Sequence, residues 1–589
     1  MIVFLISCIT TSAQIKTLDE KPRRNNAIMR HLNTFFYLLT TTLLSIGCSL
    51  PSQATSTFQE PSTTLKTLID RRLTPGLQIS GDQKWMAILE RQAIPSISEF
   101  VDEEWKLAGL RIDPKRQGPS RLRASFKSIE VTDLETQKKQ KVKVPDGIIL
   151  SPKFSPDGNH LAFLLKTPQG FYLYHYSTRT QKLQRFTDQA INTTIGNFEW
   201  RNDSQGVITR IVINDKPLNL KNTVPSGPNI QVSGKDGAPV RTYQDLLKNP
   251  TDEKKLDWAV TAQLANISLQ GKIIPIGKPT IHRNYKVSPD NRYIVLQEIK
   301  RPYSYLVPYQ RFPTEISVYD LNGKKVKTIA DLPLADNIPQ GFDSVRTGIR
   351  NALWRSDKAS TLLLVSALDD GDMKKDVEYH DQLWLLDAPF DKEPMPFTKT
   401  TMRFAGMSWG NSNTAFLTEW RFSDRQIKES LLSPQSPDAR QVISQRSYND
   451  AYNDIGNPAM TLSQFNTPVL KVIKENLFFT GNGASSKGNI PFLRRYSIRE
   501  KQFKTLWESE APYYERVAAI LDNTGEKLIT LRESTDQPVN IFLHDSKQKT
   551  TTPLTQFTHP TPAYKNISKE LIRYKRQDGV DLPGTLYLP

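Results

Sequence analysis

One phrase recurs along the chain and limits what it can fold into. An apolar or aromatic residue leads into a polar turn built on Asp or Asn, and an alternating apolar strand follows. The copies run through Ile79-Ser-Gly-Asp82, Phe154-Ser-Pro-Asp157, Trp200-Arg-Asn-Asp203, Val287-Ser-Pro-Asp290, Trp354-Arg-Ser-Asp357, Trp409-Gly-Asn411 and Leu521-Asp-Asn-Thr-Gly525. A weaker copy lies at Leu470–Phe479. Asp-Gly and Pro-Asp pairs supply the backbone angles of hairpin turns. The alternation supplies half-buried antiparallel strands. A second strand follows most copies, as in Phe171-Tyr-Leu-Tyr-His-Tyr176 and Ile316-Ser-Val-Tyr319. Seven or eight such units predict an all-β protein, a seven- or eight-bladed β-propeller, in which stacking around an axis buries the faces no single blade can bury. The long inserts Asn214–Lys278 and Ser430–Pro468 are expected as loops on one rim.

Composition narrows the chemistry. The 589 residues contain two Cys, Cys8 and Cys48, so neither a disulfide framework nor a Cys-based metal site is available to the body of the protein. The net charge of +17 comes from scattered Lys and Arg without a nucleic-acid-binding motif, and no nucleic-acid partner is expected. No cofactor-binding motif and no phosphate loop is present. Residues 1–54 read as a targeting segment, with Met29 a candidate natural start. Met29-Arg30-His31 precedes an uncharged apolar run at 34–47 of signal-peptide length. Two exits are open. Gly47-Cys48 fits a lipoprotein site with Cys48 as the lipidated residue, and Ser52-Gln53-Ala54 fits ordinary cleavage. The expected location is therefore the bacterial periplasm, free or lipid-anchored.

The propeller is expected over 55–565. Residues 566–589 then form a hairpin, with Leu571–Arg576 and Val580–Pro589 flanking an Asp578-Gly579 turn. A lone hairpin leaves unpaired edges and expects more sheet beside it. The coded chain thus reads as ending where a new domain opens.

These residues carry a family resemblance. The hairpin after a propeller resembles the opening of the α/β-hydrolase domain in the prolyl oligopeptidase family of serine peptidases. Lys106–Pro114, Arg301–Pro313, Asp343–Arg350, Ala367–Asp372 and Arg446–Asp450 are similar to the glutamyl-endopeptidase branch. The resemblance implies peptide-bond hydrolysis through an acyl-enzyme, with peptide substrates reaching a catalytic domain gated by the propeller. It transfers no catalytic residue here, because the chain lacks a Gly-x-Ser-x-Gly elbow. Gly483-Ala-Ser485-Ser-Lys487 comes closest and reads as a polar loop between blade strands. The chain by itself is expected to be inert. The competing reading is a stand-alone periplasmic propeller that binds peptides or envelope partners.

Other candidate chemistry is thin. None of the seven His pairs with another at metal-ligand spacing in the sequence, and His175 and His544 fall in expected strands. His380 stands among Asp369, Asp370, Asp372, Asp376, Glu378 and Asp381. A Ca²⁺ site and a solvated turn are both open there, and the solvated turn is the plainer expectation. No metal site is assigned. The aromatic and basic stretch Arg301–Phe312 reads either as a rim that handles peptides or as an ordinary blade loop.

Overall fold

The computed structural model describes residues 60–589 apart from 96, 123, 215, 217, 219–241, 340, 565–566 and 589. The targeting segment and Cys48 lie outside the described residues.

Among the described residues eight antiparallel blades, each built on four main strands, follow one another in chain order, and blade 7 carries the short extra strand Val472–Ile473. Blade 1 is Gly76–Ile79, Trp85–Arg91, Phe126–Asp133 and Lys139–Lys141, from the innermost strand outward. Blade 2 is Ile148–Phe154, His160–Lys166, Phe171–Ser177 and Leu183–Arg185. Blade 3 is Glu199–Trp200, Gly206–Val212, Ala262–Ser268 and the first half of Ile273–Val287. The second half of that strand is innermost in blade 4, ahead of Tyr293–Ile299, Thr314–Asp320 and Lys325–Leu332. Blade 5 is Ile349–Trp354, Thr361–Ala367, Asp381–Asp387 and Met395–Thr400. Blade 6 is Arg403–Asn411, Thr414–Arg421, Gln426–Ser433 and Ser436–Ser447. Blade 7 is Asn457–Pro458, Asn476–Gly481, Phe492–Ser497 and Gln502–Glu508. Blade 8 is Tyr514–Ile520, Lys527–Glu533, Asn540–Asp545 and Thr550–Pro553.

The hydrophobic core is a set of seams between neighbouring blades. Phe163 and Ile129 fill the seam of blades 1 and 2, and Leu164, Phe171 and Val207 that of blades 2 and 3. The series continues round to Phe478, Leu493 and Leu528 between blades 7 and 8. Met86 and Ile88 of blade 1 then pack on Ile529 and Ile541 of blade 8. The ring is therefore closed by side-chain burial. Among the described residues each terminal blade is built from its own end of the chain, with no strand exchanged between them.

The recurrent phrase has a common physical role. In blades 1, 2 and 4 a Ser hydroxyl donates to the Asp two residues on: Ser80 to Asp82, Ser155 to Asp157 and Ser288 to Asp290. The same hydroxyl accepts the backbone N–H five residues on, at Trp85, His160 and Tyr293. Blades 3 and 5 replace Ser by Arg, and Arg201 and Arg355 pair with Asp203 and Asp357. The leading Trp ties blade to blade. Trp200 Nε1 donates to the Lys153 carbonyl and Trp354 Nε1 to the Lys286 carbonyl, each on the innermost strand of the preceding blade.

Two expectations are corrected. Asn214–Lys278 is not all insert loop, because it holds the helix Pro250–Val260, the blade 3 strand Ala262–Ser268 and the start of the strand Ile273–Val287. Ser430–Pro468 is not an insert loop either. It holds the long outer hairpin of blade 6, the inner strand of blade 7 and a further hairpin, Met460–Leu462 with Pro468–Leu470. Periodicity alone misses the outer strand Ser436–Ser447 because it is for the most part exposed or half-buried and carries few apolar residues.

Candidate functional site

Antiparallel strands give the ring two unlike rims. The tight turn after each innermost strand lies on one, here the turn rim. The link between second and third strands, and the passage from blade to blade, lie on the other, here the insert rim. Both ends of the propeller leave from the insert rim, before Gly76 and after Pro553.

The turn rim is crossed by the blade 7 hairpin. Asn466 Nδ2 donates to the Asn202 carbonyl of blade 3 at 2.9 Å, and Thr467 Oγ1 to the Ser356 carbonyl of blade 5 at 2.6 Å. Leu462 sits so close to Gly81 of blade 1 that a Cβ there would lie 2.9 Å from its Cδ1. Blades 3 and 7 are opposite each other in a ring of eight. The hairpin therefore spans the axis and closes this mouth.

The insert rim carries the larger excursions. Residues 92–125 of blade 1, the helix Pro250–Val260 of blade 3 and the 300–313 loop of blade 4 share an apolar cap of Leu107, Ile112, Leu256, Val260, Val307 and Phe312. Asn249 caps the helix by accepting the Asp252 N–H. Arg301 pairs with Glu253 and Asp257, both at 2.5 Å, while Tyr303 and Tyr305 donate to Asp257 and Glu253. The Arg301–Phe312 stretch is thus a blade loop fastened to a helix on this rim. All five segments that carried the family resemblance lie here.

The acidic stretch around His380 is not a solvated turn. Arg403, 2% exposed, donates to both oxygens of Asp369 and to Asp381 Oδ1. Arg350 takes the other oxygen of Asp381 at 2.6 Å, and His380 Nδ1 meets Asp369 at 2.7 Å. The hydrogen bonds of His380 and Arg403 hold the Asp369 carboxyl below the usual range against the opposing effect of burial. Arginines from blades 5 and 6, distant in sequence, occupy these carboxylates. Among the described residues no group of three or more His, Cys, Asp or Glu is placed to hold a metal.

Two other readings meet the structure differently. Ser485 belongs to a two-stranded turn in the blade 7 insert, where its Oγ donates to the Gly488 carbonyl. That is the polar loop expected. The histidines need a correction, because His160 and His175 do meet, Nδ1 to Nδ1 at 3.3 Å. Their fifteen-residue spacing hides a diagonal across one antiparallel pair, in which His160 faces Ser177 and His175 faces Ala162. His544 pairs with Glu515 at 2.6 Å.

The second hairpin, Ser568–Lys575 with Asp581–Leu588, forms as expected. Its strands are almost wholly exposed, including Leu571, Tyr574 and Tyr587. Arg573 donates to the Ser486 carbonyl, which sets the hairpin beside the blade 7 insert.

No protein-family model matches the chain. It is 32% identical over 571 residues to a probable chloroplastic glutamyl endopeptidase of Oryza sativa subsp. japonica, covering 91% of this chain and 61% of that protein. A probable chloroplastic glutamyl endopeptidase of Arabidopsis thaliana is 30% identical over 565 residues, covering 90% and 59%. The chain thus spans about three-fifths of the length of the curated relatives it matches. Among solved structures, an acylaminoacyl peptidase of Pyrococcus horikoshii aligns at 12% identity and a TM-score of 0.40, covering 89% of this chain and 59% of that one. The β-propeller domain of the trilobed protease of Pyrococcus furiosus aligns at 9% identity and a TM-score of 0.35, covering 83% and 100%. The fold is read from the blades and their seams, independently of these low scores.

Proposed function

We propose that this chain, which is similar to glutamyl endopeptidases over about three-fifths of their length, is the propeller portion of a serine-type peptidase of the prolyl oligopeptidase family. In this reading it gates peptides on their way to an α/β-hydrolase domain at the insert rim. The observation that carries it is the asymmetry of the rims. One mouth is crossed by the 460–470 hairpin, whereas the family-like segments, both propeller ends and the exposed hairpin gather at the other.

The exposed strand pair favours a partner sheet. Its outer edges present unpaired backbone groups, and Leu571, Tyr574 and Tyr587 offer apolar surface to bury. Peptides would reach the hydrolase nucleophile from the insert rim, with folded proteins excluded by the ring. Bond cleavage would follow the acyl-enzyme route, with the nucleophile, base and oxyanion donors supplied by the hydrolase domain. Export, either free or with Cys48 as lipid anchor, belongs to the same proposal and rests on the 34–47 apolar run.

A fluorophosphonate probe, which labels activated serines, tests this on native protein from its source. A labelled species yielding peptides of both blades 1 and 8 is expected. Recovery of the propeller peptides solely in unlabelled protein of this chain's own mass would sink the reading in favour of a stand-alone binding propeller.

A further inference from the structure

The seam between blades 3 and 4 opens at the turn rim into a cleft of about 740 Å³. Asn266 is the anomaly on its wall. It lies on the third strand of blade 3, 6% exposed, and its Oδ1 has no hydrogen-bond partner. The ladder sets it opposite Ile208, the third residue of the second strand. The same ladder position holds Val318 in blade 4, Leu385 in blade 5 and Leu543 in blade 8. A blade therefore does not need an amide there, and a buried amide without a partner costs stability. Arg201, on the same wall, repeats the pattern. Its Nη2 pairs with Asp203, while its buried Nε has no acceptor. Unanswered buried polar groups of this kind are rare in native folds and mark places that a ligand completes.

The mouth of the cleft is cationic. Arg292 and Lys324 line it, and among the described residues neither side chain has an ion pair or a hydrogen bond. Arg292 overlies the Tyr293 ring at 5.5 Å. Lys325 is spent on Glu315. The carboxylate of the lining, Asp320, accepts the Asn322 and Lys324 N–H groups of its own turn. The two kinds of unanswered group make different demands. Two free cations attract an anion, and their charge matches a phosphate monoester better than a single carboxylate. The Asn266 amide and the Arg201 Nε want neutral groups that both donate and accept, as hydroxyls do. An anionic group and hydroxyls carried on one small body are the chemistry of a phosphorylated sugar, and the cleft has the size of a small-molecule site.

We propose that this cleft binds a sugar phosphate, with Arg292 and Lys324 on the phosphate and Asn266 and the Arg201 Nε on the sugar hydroxyls. The site lies on the rim away from the family-like segments and does not rest on the peptidase reading. The shared chemistry serves a free sugar phosphate and the phosphorylated end of a glycan alike.

The test is isothermal titration calorimetry on the full chain at fixed ionic strength, with glucose phosphorylated at its primary hydroxyl, glucose and inorganic phosphate as probes. The sugar phosphate is expected to bind at least about tenfold more tightly than either of the others. Asn266→Leu should weaken that binding at least about tenfold while the thermal midpoint holds or rises, because an orphaned amide leaves the seam. Arg292→Met with Lys324→Met should bring the sugar phosphate down to the level of glucose. Lys358→Met removes a charge from the matching exposed turn of blade 5 and should change nothing. Maltopentaose phosphorylated at the primary hydroxyl of its terminal glucose separates the two sources: tighter binding than the single sugar assigns the site to a glycan end, and equal or weaker binding to the free sugar. Inorganic phosphate binding as well as the sugar phosphate overturns the proposal. So does binding left unchanged in both Asn266→Leu and the double variant, an equal loss in Lys358→Met, or a fall of the thermal midpoint in Asn266→Leu, which would make the amide a structural group.

Discussion

Arg403, 2% exposed, is among the bulkiest buried side chains of the described residues, and it is held by Asp369, Asp381 and the carbonyls of Asp343 and His380. Removing one member of such a buried set strands the others. Asp369→Asn is therefore expected to lower unfolding free energy by about 3–5 kcal/mol, with Arg403→Met in the same range. Urea titration of both variants checks this, and a loss under about 1 kcal/mol would contradict the geometry. The His160–His175 pair predicts a pH response. Burial first, then the neighbouring His160, depresses His175 from 6.5 to about 4. The unfolded chain then binds more protons than the folded one between those values. Stability is full above about pH 6.5, falls as the pH drops toward 4, and the total loss is on the order of 3 kcal/mol. The fall in unfolding free energy from pH 7 to pH 4 should be shallower in His175→Leu without vanishing, because burial first, then the charge of Arg210, depresses His282 further, to about 3. An unchanged slope would assign the acid response to other groups.

At the scale of elements, the hairpin across the turn rim is held by few bonds for its reach. Two side-chain hydrogen bonds, from Asn466 and Thr467, fasten its tip, and Leu462 lies against Gly81. Each bond contributes about 1 kcal/mol. Asn466→Ala with Thr467→Val should cost about 2 kcal/mol locally and raise amide exchange of 460–470 while exchange in the blades stays unchanged. Exchange that rises throughout blade 7 instead would mean that the hairpin is part of the blade. The helix Pro250–Val260 shows the opposite design, with Arg301, Tyr303 and Tyr305 all closing on Glu253 and Asp257.

For the whole molecule, closure by packing sets where the ring opens. Blades 1 and 8 share Met86, Ile88, Ile529, Ile541 and Leu554, with Gln83 donating to the Ile520 carbonyl. Ile529→Ala should cost about 2–5 kcal/mol. It should also speed proteolysis between blades 8 and 1 ahead of any other seam. Cleavage spread evenly over the seams would argue against a weak closure. Deleting 566–589 removes a hairpin that buries almost nothing, so stability should change by less than about 0.5 kcal/mol. A large loss would show the hairpin to be part of the ring.

The blade pattern, the Ser-x-Asp turns and the terminal hairpin were legible in the sequence because they are local. A hairpin is written in an alternation and a turn only a few residues long, and the apolar residue that leads each phrase sits at or next to the end of its blade's innermost strand. The same locality let Ser485 be read as a loop residue. What only the tertiary structure decided depends on residues far apart. Arg403 answers Asp369 from 34 positions away, and Asn466 finds Asn202 from 264 away. Charge and hydrogen-bonding capacity are carried by the sequence, but which groups meet, and which are left without a partner, is fixed by the closing of the ring.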